Sequence, residues 1–427
     1  SGPGRLEAQG AGGDPAALAD PVASSMRETA LLGLKGVAAY LSHAEALGRE
    51  DDASYAFAEE LLAKSLDPGQ GAADWLEMLL GTGERNLAAM GMLDQAHTEA
   101  FGAPVPSEVS LGRRKGPAIA VSGHDLGCLS ELLDQAAGRG VNVYTHCEML
   151  PAHGYPALKR PELAGHWGTG WQNQRNELGG FPGPALFTSN CIQKPKSPGS
   201  VFTVGPVAWP GCARLGRLPD GRTDFGPLID KALAAGGFES DLEGPSFMTG
   251  FGWQAVLGRA EEILGLVRTG KIKRFFVIGG CDGARASRSY FTRLAELSPK
   301  DTVIMTLGCG KFRLFGLDLG EIGGLPRLLD LGQCNDAYSA VKIASALSSA
   351  LETPLDRLPL SLALSWHEQK ACAVLLSLLH LGVKNIRLGP TLPAFVHPEL
   401  LGALSSRWGL KPISTPERDM EAMMDGR

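Results

Sequence analysis

Residues 276–290, FVIGGCDGARASRSY, pass from an apolar run to a helix-compatible one through glycine, cysteine and aspartate. Arg274–Ile278 reads as a buried strand and Arg288–Leu297 as a helix, so Cys281 falls in the turn that joins them. A thiol there stands beside helix N–H groups, a setting that lowers a cysteine pKa and suits a nucleophile or a metal ligand. The competing reading is a small residue filling a tight turn. From Gly116 onward the same texture recurs: short β-type runs end in polar or glycine turns and are followed by helical stretches. That is the pattern of an α/β fold on mostly parallel sheets.

The runs are AIAVSGHD (118–125), VNVYTHCE (141–148), PALFTSNC (184–191), RFFVIGGCDG (274–283), TVIMTLGCG (302–310), RLLDLGQCND (327–336) and LPLSLALSWHEQK (358–370). Each carries a potential metal ligand near the expected C-terminal end of its strand: His124, Glu148, Cys191, Cys281, Cys309, Cys334 and Glu368. In α/β sheets that edge is where ligands bind, because loops and helix N-termini open there. The seven side chains are therefore expected to share one crevice.

Before this region, residues 24–102 carry apolar residues at three- and four-residue intervals and are read as a helical domain. Residues 1–23, rich in Gly, Ala and Pro, are read as a flexible lead-in with no initiator Met, so that targeting information upstream is out of view. The remaining length accommodates two α/β domains, 103–256 and 257–427. The fold class expected is thus α/β multidomain.

Composition narrows the function. With 40 basic and 46 acidic residues the net charge is −6, and no run of Lys/Arg favours nucleic acid or an anionic membrane as partner. The most apolar stretch, residues 371–383, is too short to span a bilayer and reads as a buried helix. Eight cysteines in 427 residues, none in C-x-x-C spacing, argue against a disulfide scaffold, a zinc finger or a thioredoxin site, and fit the reducing cytoplasm or an organelle matrix. GGCDG superficially suggests a phosphate loop, but neither G-x-x-x-x-G-K-[ST] nor a G-x-G-x-x-G fingerprint with its acidic partner occurs.

Four cysteines at equivalent topological positions, separated by 90, 28 and 25 residues, are hard to ascribe to packing. Thiolates select soft ions and iron–sulfur clusters, whereas a carboxylate or imidazole on the same cluster gives iron a harder character. The object expected is an iron–sulfur cluster with mixed ligands, whose His- and Glu-held irons keep open positions for a small nitrogen or oxygen compound.

VSGHDL, VNVYTHCEMLPAHGYP, TSNCIQKP, GGCDGARASRSY, LGCGKF, DLGEIGG, LGQCNDAYSA and SWHEQKA, in order along the chain, closely resemble the hybrid cluster protein (prismane) family of hydroxylamine reductases. The resemblance implies a helical domain followed by two Rossmann-like domains, with a hybrid [4Fe-2O-2S] cluster at their junction. It assigns as ligands His124, Glu148, Cys191, Cys309, Cys334 and Glu368, with Cys281 as the cysteine that carries an extra sulfur. Lys370 matches a lysine placed close to the cluster, although two residues apart on a regular helix it is not expected to face the same way as Glu368; Glu148, Glu368, His124 and Lys370 are the implied proton-handling catalytic residues.

The implied activity is reduction of hydroxylamine to ammonia and water, with nitric oxide as a related substrate and an electron-donor protein as partner, in nitrogen metabolism or nitrosative stress. The alternative is a redox-sensing or nitrosyl-transferring protein acting through Cys281. The chain departs from the family pattern at three points. No cysteine precedes Cys128, so a second, N-terminal iron–sulfur cluster is expected to be absent from this chain. Cys147 stands where a smaller residue is expected, and His367 where an aromatic or apolar one is common. Cys128, Cys212 and Cys372 read as incidental thiols. His146 and His153 read equally as core histidines or proton relays, and Trp171 and Trp209 as core or as walls of the cavity.

Overall fold

The computed structural model describes residues 20–205, 207–366, 368–392 and 396–427. Residues 1–19, most of the stretch read as a lead-in, and His367 lie outside the described residues. Helix α1 (Pro21–Glu45) begins within the lead-in because its start is well specified: the Asp20 carboxylate accepts from the Val22 N–H at 2.8 Å, and Pro21 occupies the first turn, where a missing N–H is tolerated. Helices α2 (Asp52–Ser65) and α3 (Ala72–Phe101) follow.

The helical segment shares its core with the C-terminal half. Val37, Leu41, Leu79 and Met90 belong to one apolar cluster with Leu376 and Leu379 of helix α4 (Gln369–His380) and with Val277 and Leu362. A buried polar contact fixes the seam: Asn86 Nδ2 donates to Ser377 Oγ at 2.9 Å, and Ser377 Oγ donates to the Gly83 carbonyl at 2.9 Å. The expected buried helix over 371–383 is thus α4, and among the described residues no helix is long and apolar enough to cross a membrane.

The first sheet contains β1 (Ala118–Ser122), β2 (Asn142–His146), β3 (Leu163–His166), β4 (Ala185–Phe187), β5 (Val201–Thr203) and β6 (Ala213–Arg214). Its spatial order is β3-β2-β1-β4-β5-β6, and every pairing is parallel. The second sheet contains β7 (Arg274–Gly280), β8 (Thr302–Thr306), β9 (Leu328–Asp330), β10 (Leu360–Ser365), β11 (Arg387–Gly389) and β12 (Lys411–Pro412). Its order, β9-β8-β7-β10-β11-β12, repeats that of the first, again all parallel. Both are the doubly wound arrangement, in which strand order reverses between the first and fourth strands and a crevice opens outside their C-terminal ends.

Residues of β1 and β8 are buried throughout, as strands covered on both faces must be. The antiparallel pair Ser107–Ser110 and Ser246–Thr249 closes off the first sheet, and helix Trp253–Leu257 runs across the boundary read between 256 and 257. That helix starts directly after Gly252, earlier than the apolar pattern of the next strand suggested.

Candidate metal centre

The C-terminal ends of the two sheets meet. His124 follows β1, Glu148 follows β2 and Cys191 follows β4; Cys281, Cys309, Cys334 and Glu368 follow β7, β8, β9 and β10. His124 and Cys191 therefore flank the reversal point of one sheet, and Cys281 and Glu368 flank that of the other.

Local backbone turns each donor off its strand. Gly123 has φ 131°, and a Cβ there would lie 2.2 Å from Thr188 Oγ1; Gly280 has φ 108°, and its Cβ would lie 2.3 Å from the Ser365 carbonyl oxygen. Only glycine fits before His124 and before Cys281, which accounts for the glycine pair in GGCDG. Cys147 (φ 56°) and Cys191 (φ 62°) adopt the left-handed region without being glycine, a strain tolerated chiefly where surrounding structure demands it.

One donor atom each from His124, Glu148 and Cys334 lies within 4.8 Å of the others. His124 Nδ1 lies 2.7 Å from Ser189 Oγ, while its Nε2 is buried without a hydrogen-bond partner. Glu148 Oε2 accepts from the Cys334 N–H at 2.8 Å, while Oε1 is buried without a partner. The Cys334 carbonyl accepts from Tyr40 OH at 2.8 Å, so this residue is held from both sides. Its turn is pinned by Asp336, which accepts from the Gln333 N–H at 2.6 Å and from Tyr155 OH at 2.8 Å.

Glu368 is not inside α4 but caps it, with φ −139° and ψ 178°, and its carboxylate accepts from the Lys370 N–H at 3.2 Å and from Asn190 Nδ2 at 3.2 Å. Helical spacing therefore does not keep Glu368 and Lys370 apart. Lys370, 1% exposed, donates to Asn335 Oδ1 at 2.8 Å and lies over the Tyr40 ring at 5.7 Å, beside Cys334. The Cys281 N–H donates to the Ser365 carbonyl at 2.8 Å, and its own carbonyl accepts from Arg288 Nη1 at 3.3 Å.

Electrostatics mark the centre as short of positive charge. Burial, then the charges of Glu368, Cys309, Cys334 and Cys281, push the Cys191 thiol well above its ordinary range. Cys334 is raised by burial, against a pull from Lys370. Burial likewise raises Glu148, opposed by Lys311, and Glu368, opposed by Lys370. His124 is pushed well below its ordinary pKa by burial, then by Lys370 and His43, so its imidazole is neutral and able to ligate.

A cavity of about 110 Å³ is lined by Cys281, Cys334 and Lys370 and, away from them, by apolar residues such as Val277, Ala340 and Leu378 between the second sheet and its helices, together with Asp356 and Lys384. Sequence reading missed Tyr40, Asn190, Asn335 and the wholly buried Lys311, which pairs with Asp330 at 2.8 Å and donates to the Gly332 carbonyl at 2.6 Å. Of these only Lys311 had a signal, its place in LGCGKF. Trp209 is 37% exposed and is not among the residues that line the cavity beside Cys281 and Cys334, because its Gly/Pro segment stays at the surface. Trp171 Nε1 instead donates to the Asp282 carbonyl at 3.0 Å, bracing the turn that bears Cys281. Both histidines have partners: buried His146 lies between Ser122 Oγ at 2.9 Å and Glu177 Oε2 at 3.0 Å, and half-buried His153 lies 3.0 Å from Thr145 Oγ1.

The model of the Prismane/CO dehydrogenase family matches residues 13–421. The chain belongs to this family. It is 52% identical over 403 residues to a hydroxylamine reductase of Solidesulfovibrio magneticus, covering 94% of this chain and 74% of the relative. It is 49% identical over 409 residues to a hydroxylamine reductase of Methanocella arvoryzae, covering 95% and 74%. Among solved structures, carbon monoxide dehydrogenase from Thermococcus sp. AM4 superposes with a TM-score of 0.76 at 16% identity, covering 97% of this chain and 88% of that one. An alpha subunit of acetyl-CoA synthase/carbon monoxide dehydrogenase with NiZn[Fe4S4] and NiNi[Fe4S4] clusters superposes at 0.74 and 16%, covering 95% and 82%. At that identity the likeness is one of fold.

Membership of the Prismane/CO dehydrogenase family implies an iron–sulfur metal cluster. The residues fit one. Two buried donor atoms, His124 Nε2 and Glu148 Oε1, have no hydrogen-bond partner among the described residues. The thiols and carboxylates around them are destabilised as anions by burial and mutual repulsion, which bound iron relieves.

Proposed function

We propose that this chain is an oxidoreductase that reduces hydroxylamine, taking up an electron pair and two protons to release ammonia and water, at a hybrid [4Fe-2O-2S] cluster held by His124, Glu148, Cys191, Cys281, Cys309, Cys334 and Glu368. Two relatives of about half-identical sequence named hydroxylamine reductase support the reaction. The observation that carries the site is the convergence of a neutral imidazole, a half-free carboxylate and a thiol within 4.8 Å at the edge where both sheets reverse.

Bound there, the cluster supplies electrons and a Lewis-acidic open iron. The chain's residues do the rest. Ser189 orients His124, and the Cys334 N–H orients Glu148, so each presents one committed atom. Lys370, its Nζ held by Asn335, faces the cavity and is the proton donor. Glu368, beside it, ties α4 to the centre, and the apolar lining restricts water. An electron-donor protein supplies the reducing equivalents, and nitric oxide is a further substrate of suitable size. We read the chain as a helical unit and two α/β units divided near residues 102 and 256, with one cluster in residues 1–427, where no cysteine precedes Cys128.

The test is iron and acid-labile sulfide per chain in anaerobically purified protein, followed by hydroxylamine-dependent oxidation of a reduced dye. About four irons with fewer labile sulfides, and ammonia formed in step with dye oxidation, are expected. Iron-loaded protein that forms no ammonia removes the proposed activity.

A further inference from the structure

Cys147 has no place in the ligand set, yet its sulfur lies 3.3 Å from that of Cys309, with both side chains buried. The two residues come from opposite sheets, Cys147 directly after β2 and Cys309 after β8, and stand 162 positions apart in the chain. Cys147 also holds φ 56°, a conformation that suits glycine better than any residue with a Cβ. A disulfide has an S–S length of about 2.05 Å, so these sulfurs need an approach of little more than about 1 Å.

We propose that Cys147 and Cys309 form a disulfide when the chain is without its cluster, and that this bond withdraws Cys309 from the ligand set until it is reduced. The consequence for loading rests on the reading of Cys309 as a ligand; the bond itself does not. Hydrogen peroxide, small enough for a buried site, is the oxidant. One thiol sulfur attacks a peroxide oxygen, the O–O bond breaks, and a sulfenic acid and water form. The second sulfur then displaces the hydroxyl group as water, closing the S–S bond. Both thiol protons leave in the waters, the sulfurs lose one electron pair, and peroxide gains it. A dithiol reductant reverses the bond, after which Cys309 is again available to iron.

The experiment uses the full chain, stripped of iron by a chelator under reductant, confirmed folded by circular dichroism and exposed to hydrogen peroxide. Digestion without reductant and mass spectrometry should find a peptide pair linking Cys147 to Cys309 as the main cross-link, lost on treatment with dithiothreitol. The oxidised chain should also show a raised thermal midpoint, because the bond closes a long loop. Offered ferrous iron and sulfide, it should load no cluster until reduced. Cys147→Gly, which relieves the backbone at φ 56°, and Cys147→Ala should form no such link and should keep their loading after peroxide. Cross-links that join Cys309 instead to Cys191 or Cys334, or oxidation to sulfinic acid alone, overturn the proposal. A Cys147–Cys309 link with undiminished iron uptake overturns the ligand role of Cys309 and leaves the bond standing.

Discussion

The Cys334 N–H donates to Glu148 Oε2 at 2.8 Å, clamping the loop after the third strand of one sheet to the carboxylate after the second strand of the other. The partner oxygen, Oε1, has no hydrogen-bond partner among the described residues. One oxygen is thus oriented and the other is free to take the ligand role proposed for it. Glu148→Gln keeps the size but removes the anionic donor. Iron per chain after anaerobic purification should fall by at least about tenfold, with the far-ultraviolet spectrum unchanged. Full iron content in this variant refutes Glu148 as a ligand.

His124 depends on a hydroxyl in the same way. With Nδ1–H donating to Ser189 Oγ, Nε2 presents its lone pair; without the hydroxyl the ring is free to rotate or to change tautomer. Ser189→Ala should lose iron to a competing chelator at concentrations about 10 to 100-fold lower than the parent requires. An unshifted chelator titration shows that Ser189 does not position the imidazole.

Much of this was legible in the chain. The seven strand-end side chains could be read because each follows an apolar run broken by Gly, Ser or Thr, and turn chemistry is local in sequence. The short strands β3, β5, β6, β11 and β12, at or next to the sheet edges, were not read, since runs of two to four residues carry no periodicity of their own. Tyr40 and Asn190 were invisible for another reason. Tyr40 sits on an ordinary amphipathic helix and reaches Cys334 across 294 positions, a relation that only the shared core of α1 and α4 creates. The spacing of Glu368 and Lys370 misled, because it presumed a regular helix where the first residue is in fact a cap.

Lys370 Nζ is held by Asn335 Oδ1 at 2.8 Å in a position where it lines the cavity with Cys281 and Cys334. A donor fixed there should speed protonation by about 100-fold or more. Lys370→Gln is expected to lower kcat for hydroxylamine on that order with iron content and KM little changed. Lys370→Arg, whose guanidinium holds its proton too tightly to give it up, should not restore the rate. A normal kcat in fully loaded Lys370→Gln removes the lysine from proton delivery.

Away from the centre, Arg387 and Asp419 lock the C-terminal helix Pro416–Met424 to β11. Arg387 Nε donates to Asp419 Oδ1 at 2.8 Å, and Tyr290 OH and the Ser414 N–H each donate to Oδ2 at 2.7 Å. Burial pushes this carboxyl up, but the bonds from Tyr290, Ser414 and Arg387 outweigh it and hold the pKa below the usual carboxylate range. Asp419→Asn leaves the buried guanidinium without its counter-charge and should lower stability by about 3 kcal/mol at neutral pH. A depressed folded pKa means that the stabilisation is complete above the unfolded value of about 3.9 and is lost as pH falls through the lower folded value. Urea midpoints of parent and variant should therefore differ by a constant amount from pH 7 down to about pH 4 and converge below it. A gap of the same size in strong acid shows that the Arg387–Asp419 charge pair is not what holds the helix.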